Sequence, residues 1–333
     1  MNHDMRIGIN IHHSGYTPYR STLEENLDAA AAMGMNIIRY NNSSNTPEAL
    51  AEIRRVADGC HARGMQLLLC MDHGHWRRRG GESPAEIEAF YEAYMEKTAA
   101  ALGDAVDIYQ IFNETDVACM GGDIQNIVKP RRDGLDPGEY DSVMFEGAIA
   151  GVKGSLRGLK KGYSAARTSV NFSWWHTALL YAMHAAGCRF DVIGIDWYSD
   201  AEEVSDISEL LADVCAHIPE GQIMLCETNY WMNLHPRWDA AKRAEVMDAA
   251  SRDAGQAAFV PAFLRKCAAL DEPRFAGVIF YELLDEPGFE RQAGQYHGES
   301  HFGFIACDEQ GHNRRPKPVC GTVAAAIRDI RKH

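Results

Sequence analysis

Short apolar runs rich in β-branched residues alternate along this chain with longer stretches whose apolar positions recur at helical spacing, and the alternation repeats eight times. The short runs predict strands at Arg6 to Ile11, Ile37 to Tyr40, Gln66 to Cys70, Ile108 to Phe112, Arg167 to Phe172, Val192 to Trp197, Ile223 to Cys226 and Gly277 to Tyr281. The longer ones predict helices at Thr22 to Met33, Pro47 to Arg63, Pro84 to Leu102, Tyr140 to Tyr163, Thr177 to Ala186, Ser205 to His217, Lys242 to Leu270 and Val319 to His333. Proline opens two of the first three, and Gly34, Gly64 and Gly103 close them, as proline at a first turn and glycine past a last turn should. Pro261 is expected to break the long helix from Lys242. Eight strand-then-helix units without a linker or a change of composition specify an α/β chain folded as a single (β/α)₈ TIM barrel, one catalytic domain over residues 1–333. A doubly wound sheet is the alternative.

Composition narrows the function classes. The 333 residues are 46% hydrophobic and carry a net charge of −14, enough apolar material for a large core and the wrong sign for a nucleic-acid or anionic-membrane partner. The basic runs Arg77 to Arg79 and Arg131-Arg132 are too short to alter that and read as solvated loop charges. No stretch reaches the roughly 18 apolar residues of a membrane helix. The start of the chain lacks a cationic segment followed by a long apolar one, and the nine cysteines, without CxxC spacing, read as reduced buried thiols. A cytoplasmic location is therefore expected.

In a barrel of this kind the chemistry sits at the C-terminal ends of the strands. In chain order those ends offer His12 and His13; Arg39, Asn41 and Asn42; Asp72, His73, His75 and Trp76; Asn113, Glu114 and Asp116; Ser173, Trp174, Trp175 and His176; Asp196, Trp197 and Tyr198; Glu227, Asn229, Tyr230 and Trp231; and Tyr281, Glu282, Asp285 and Glu286. Two strings stand out: Ile111-Phe112-Asn113-Glu114 closes the fourth strand and Met224-Leu225-Cys226-Glu227 the seventh. Two carboxylates at barrel strand ends, among aromatic surfaces and hydrogen-bonding groups, match the needs of glycoside hydrolysis: a proton donor and a nucleophile flanking one sugar bond.

These strand ends resemble those of the retaining glycoside hydrolases of clan A, including families 5, 39 and 53. The resemblance runs along nearly the whole chain in strand order, but only the strand ends match as motifs. It implies Glu114 as acid/base, Glu227 as nucleophile, Asn113 on the sugar 2-hydroxyl, Arg39 as the arginine ending strand two and Tyr198 as the nucleophile's aromatic-hydroxyl partner. The stretch Phe302 to Ile305 through Arg315 to Pro318 also resembles the segment after strand eight in such enzymes. Two departures bear on the substrate: Asp196 stands where several relatives carry His, and Tyr281-Glu282 where a sugar-stacking Trp is common. Glu114 should hold its proton near neutral pH, Glu227 should stay ionised, and retention requires carboxyl groups about 5 Å apart.

Further substrate contacts are expected from His73, Trp174, His176, Asp196, Trp231, Tyr281 and Glu282, the last either a third active-site carboxylate or the partner of Arg39 or a histidine. Of Trp174 and Trp175 only one should face the mouth. Asp285, Glu286 and Glu290 are expected to be solvated. The loop Thr115 to Tyr140 should cover the leaving-group side, and Asn229 to Ala241 the other flank. A carbohydrate is the expected partner, with no cofactor and no bound metal. Two other readings use the same residues: a metal-dependent sugar isomerase or epimerase drawing on His73, Glu114, Asp196, Glu227 and Glu282, and a catalytically silent carbohydrate-binding barrel.

Overall fold

A computed structural model describes residues 5–20, 22–77, 81–120, 133–199, 204–235 and 238–332. Eight parallel strands, β1 (Arg6–His12), β2 (Ile37–Asn41), β3 (Gln66–Met71), β4 (Ile108–Ile111), β5 (Thr168–Ser173), β6 (Val192–Asp196), β7 (Gln222–Glu227) and β8 (Phe275–Phe280), pair in sequence order, and β8 closes onto β1. The result is a single (β/α)₈ TIM barrel. Around it run α1 (Leu23–Ala32), α2 (Pro47–Ala62), α3 (Pro84–Leu102), α4 (Thr115–Cys119), α5 (Ser142–Gly162), α6 (Thr177–Ala185), α7 (Ser205–His217), α8 (Ala240–Met247), α9 (Ala249–Ala268), α10 (Gly288–Ala293) and α11 (Pro318–Ile330).

The caps behave as their residue types require. The Thr46 side chain accepts from the Ala49 amide ahead of Pro47, and Ser83 and Glu86 form a reciprocal capping box at α3. The long helix breaks elsewhere than expected. Asp248 is extended and its carboxylate accepts from the Ser251 amide, so it ends α8 and caps α9. Pro261 sits inside α9 without interrupting it. A proline there withholds the amide that would serve the Ala257 carbonyl. The Thr322 hydroxyl of α11 donates to that carbonyl at 2.9 Å instead.

Two apolar layers result. The barrel interior is filled by Ile37, Leu68, Ile108, Val192, Met224, Cys226, Ala276 and Ile279, while a larger layer packs between strands and helices. Side chains alternate along a strand, so Ile37 inside puts Arg39 inside too, one layer nearer the mouth. Helix α5 lies directly on α3: a Cβ at Gly154, Gly158 or Gly162 would come within 2.1, 2.2 and 2.4 Å of the Glu88, Glu92 and Glu96 carbonyl oxygens. Only glycine permits that approach.

After β8 the chain forms α10 and a short antiparallel pair, Ile305–Ala306 with Arg315–Pro316. Asp285 and Glu286, expected in solvent, are 6% and 2% exposed. The reason is local: Asp285 pairs with the buried Lys317 ammonium at 2.6 Å, and Glu286 accepts from the Tyr16 hydroxyl at 3.1 Å. Glu290 is partly buried and bonds His301 at 2.7 Å. Among the described residues no helix is long and apolar enough to cross a membrane.

Candidate functional site

Buried polar residues on the strands converge at the C-terminal mouth, with Arg39 at their centre and no exposed surface. Its guanidinium donates to Gln110 Oε1 (2.8 Å), Asn10 Oδ1 (3.0 Å), Asn113 Oδ1 (2.5 Å) and Glu227 Oε1 (2.6 Å). The other oxygen of Glu227 accepts from the Tyr198 hydroxyl at 2.8 Å. Both Glu227 oxygens are thus oriented by donors, one of them charged.

Strand alternation alone would not aim Glu227 here. Cys226 already faces the barrel interior, so its successor should face out. The pairing of β6 with β7 slips at this point, from Ile195 with Leu225 to Asp196 with Glu227, and the extra residue turns the carboxylate into the mouth. At β4 the device is different. Phe112 and Glu114 adopt left-handed backbone, φ +61° and +41°, which bulky residues rarely do. Phe112 thereby swings outward onto Tyr91 and Trp76, while Asn113 and Glu114 turn to the cleft.

Glu114 accepts from the Ser173 hydroxyl at 2.7 Å, and its amide donates to Asn171 Oδ1 at 3.2 Å. Desolvation, then the charges of Glu227 and Asp116, push its pKa up to about 8. One oxygen each from Glu114, Asp196 and Glu227 lie within 4.8 Å of one another. Asp196 is fully buried and accepts from Asn171 Nδ2 at 2.5 Å, and burial followed by Glu227 and Glu114 raises its pKa well above the usual carboxylate range. Asn171 also donates to Asn113 Oδ1 at 2.8 Å, so one amide ties the Asn-Glu pair to Asp196.

The aromatic wall is continuous. The Trp231 ring lies 5.7 Å from Tyr198, 6.4 Å from Trp174 and 6.4 Å from Phe302, and Phe302 stacks on Tyr198 at 5.5 Å and meets Tyr281 at 6.4 Å. Trp174 and Trp175 are both buried; Trp174, at φ +46°, joins this wall.

Not every expected contact reaches the cleft. His73 packs against Phe90 and Tyr94 of α3, at ring distances of 5.4 and 5.3 Å, because α3 presents its aromatic face there. His176 is 1% exposed and bonds Asp116 Oδ2 at 2.7 Å. Burial opposes its charged form, but Asp116 and Asp133 outweigh that and raise its pKa. Asp116 in turn accepts from the Ser173 amide, so His176 braces the residue that holds Glu114. Glu282 meets neither Arg39 nor Glu114 and Glu227; it accepts from the Tyr19 hydroxyl at 2.6 Å and lies 3.2 Å from His12 Nε2. Of the loop expected over the leaving-group side, residues 121–132 lie outside the described residues, as do Arg78, Arg79, Arg131 and Arg132.

Asn10, Gln110, Asn171, Tyr19 and Glu299 belong to this region and were not singled out by strand-end reasoning. Glu299 is partly buried, and burial followed by the Glu227 charge raises its pKa to about 7. Asn10 and Gln110 did carry a signal: each is a polar residue flanked by apolar ones within its strand run, whereas Asn171 lies among the polar residues of Thr168 to Ser173. Among the described residues, two groups have metal-ligand spacing, Glu114 with Asp196 and Glu227, and His12 with Glu282 and Glu286.

No family model matches the chain, and no curated protein does. Solved structures match in fold. A family 1 b-glucosidase from Thermotoga maritima in complex with isofagomine lactam covers 99% of this chain and 98% of its own, with a TM-score of 0.70 at 11% identity. A hyperthermophilic beta-glucosidase from Pyrococcus furiosus covers 98% and 95%, with a TM-score of 0.66 at 14% identity. At such identity the likeness establishes the barrel. The first of these is a family 1 enzyme, not one of families 5, 39 and 53, so the narrower resemblance gains nothing from it.

Proposed function

We propose that this protein hydrolyses O-glycosidic bonds of an oligo- or polysaccharide with retention of anomeric configuration, Glu227 acting as nucleophile and Glu114 as acid and then base. One observation carries the reading: two carboxylates 113 positions apart in sequence bring oxygens within 4.8 Å in one cleft, and only Glu227 is ion-paired. That spacing suits a double displacement, whereas inversion needs about 6.5–9.5 Å to admit water. The beta-glucosidases that share the fold support the same class.

Each side chain then has a task. Arg39 and Tyr198 hold the two oxygens of Glu227 fixed for attack on the anomeric carbon. Glu114, still protonated near neutral pH, gives its proton to the leaving oxygen. Asn113 Oδ1 is occupied by Arg39 and Asn171, which leaves its NH₂ to bind the sugar 2-hydroxyl as charge develops on the ring. Once the glycosyl-enzyme ester forms, Glu114 has lost its proton and draws another from water, which releases the sugar. Trp231, Trp174 and Tyr198 offer faces to the apolar side of a pyranose.

A metal-dependent isomerase fits the geometry less well. The five residues it would use are split, with His73 against α3 and Glu282 beside His12, and an arginine donating into the carboxylate group opposes a divalent ion there. The test is a screen of chromogenic glycosides with wild type and Glu227→Ala, followed by added azide. Azide should restore cleavage and give a glycosyl azide of inverted configuration. Full activity in Glu227→Ala, or wild-type product of inverted configuration by NMR, would sink the proposal.

A further inference from the structure

On the β1/β8 rim of the same mouth, three groups that accept hydrogen bonds point at each other. His12 Nε2 lies 3.2 Å from Glu282 Oε2 and 3.7 Å from Glu286 Oε1. The tautomer of His12 is set by its neighbours. Arg39 donates to Asn10 Oδ1, which fixes that amide so that its NH₂ faces His12 Nε2 at 3.3 Å. An NH₂ donates, so Nε2 carries a lone pair and the ring proton sits on Nδ1. The Nε2 atom therefore has no hydrogen to offer Glu282 or Glu286.

A second observation is independent of these contacts. Glu282 and Glu286 are 0% and 2% exposed, yet no hydroxyl, amide or amine donates to Glu282 Oε1 or Glu286 Oε1. Buried carboxyl oxygens ordinarily find a donor. The remaining oxygens are held: Tyr19 donates to Glu282 Oε2 at 2.6 Å and Tyr16 to Glu286 Oε2 at 3.1 Å. Such outer hydrogen bonds are the kind that orient metal ligands.

We propose that His12, Glu282 and Glu286 form a binding site for one divalent transition-metal cation, Zn²⁺ or Mn²⁺, joining the end of β1 to the loop after β8. Two donors about 2.0–2.1 Å from a tetrahedral ion stand roughly 3.3 Å apart, and the two distances from Nε2 bracket that value. One imidazole and two carboxylates suit these ions better than Mg²⁺ or Ca²⁺, which take oxygen ligands. The proposal does not depend on the glycosidase reading, since its readout is metal binding.

The experiment is calorimetric titration of chelator-treated full-length protein with ZnCl₂, MnCl₂, CaCl₂ and MgCl₂, with Co²⁺ absorption to report the imidazole ligand. Wild type should bind one equivalent of Zn²⁺ or Mn²⁺ more tightly than Ca²⁺ or Mg²⁺. Glu286→Gln should weaken it by about 100-fold or more, and His12→Gln should abolish the Co²⁺ spectrum. Thermal melts of both variants confirm that they fold, and either one alone suffices if the other does not. Absence of saturable binding would mean that a proton alone bridges these groups and would overturn the site. So would binding unchanged in the folded variant, binding lost only in Glu114→Gln, or equal affinity for Ca²⁺ and Zn²⁺.

Discussion

The barrel mouth holds two clusters of carboxyl groups that differ in how their charge is met. On the β4/β7 side, Glu227 faces a guanidinium at 2.6 Å and a phenol at 2.8 Å, with Glu114 and Asp196 beside it. On the β1/β8 side, Glu282 and Glu286 face two phenols and a neutral imidazole, and no arginine or lysine donates to either among the described residues. Desolvation pushes Glu286 up to about 9 and Glu282 well above its ordinary value. One buried arginine is therefore what separates the carboxylate of Glu227 from carboxyl groups whose charge no side-chain cation meets among the described residues. Burial alone selects the neutral form; a paired cation is needed to keep the charged one.

The largest effect should come from removing the proposed nucleophile: Glu227→Gln should lower kcat by roughly 10⁴-fold, and because it leaves the buried Arg39 guanidinium without its carboxylate it should also lower the melting temperature. Arg39→Met attacks the cation directly. It strands a buried carboxylate, so about 3–5 kcal/mol of stability should be lost in urea unfolding, along with most activity; wild-type stability would mean that the ion pair does not distinguish the two sides.

Glu114 sharpens the comparison through pH. With its folded pKa near 8, kcat/KM should fall about tenfold per unit above that pH, and Glu114→Gln should remove this limb for substrates with good leaving groups. The same shift acts on stability. Between about pH 4.5 and 8 the folded chain keeps a proton that the unfolded chain has lost, so stability falls as pH rises through that window. Glu114→Gln should flatten that decline in melting temperature. On the other side, Tyr19→Phe removes a buried donor to Glu282 and an acceptor of the Leu284 amide. The expected cost is about 1–3 kcal/mol in stability with kcat altered less than in any variant above.

Much of this arrangement was legible in the chain. The eight strands, each beginning within two residues of its expected start, the capped α2 and α3 and the Asn113-Glu114 pair come from periodicity, caps and composition, which are local properties. What escaped depends on partners remote in sequence. Pro261 stays within α9 because Thr322, 61 residues on, serves the carbonyl it leaves open. Glu286 is buried because Tyr16, 270 positions away, folds over it. His73 was placed on the right strand end, but whether it faces the cleft or α3 depended on Phe90 and Tyr94, which strand reasoning does not weigh.

The slip between Ile195 and Asp196 makes the direction of Glu227 a matter of counting. Replacing Cys226 with another small side chain leaves the count intact, and the acid still points inward. Pairing Asp196 with Cys226 instead would close the slip, rotate Glu227 by half a turn and send its carboxylate toward the helices. Descendants of this gene can therefore drift in the identity of position 226 far more freely than in the register around it.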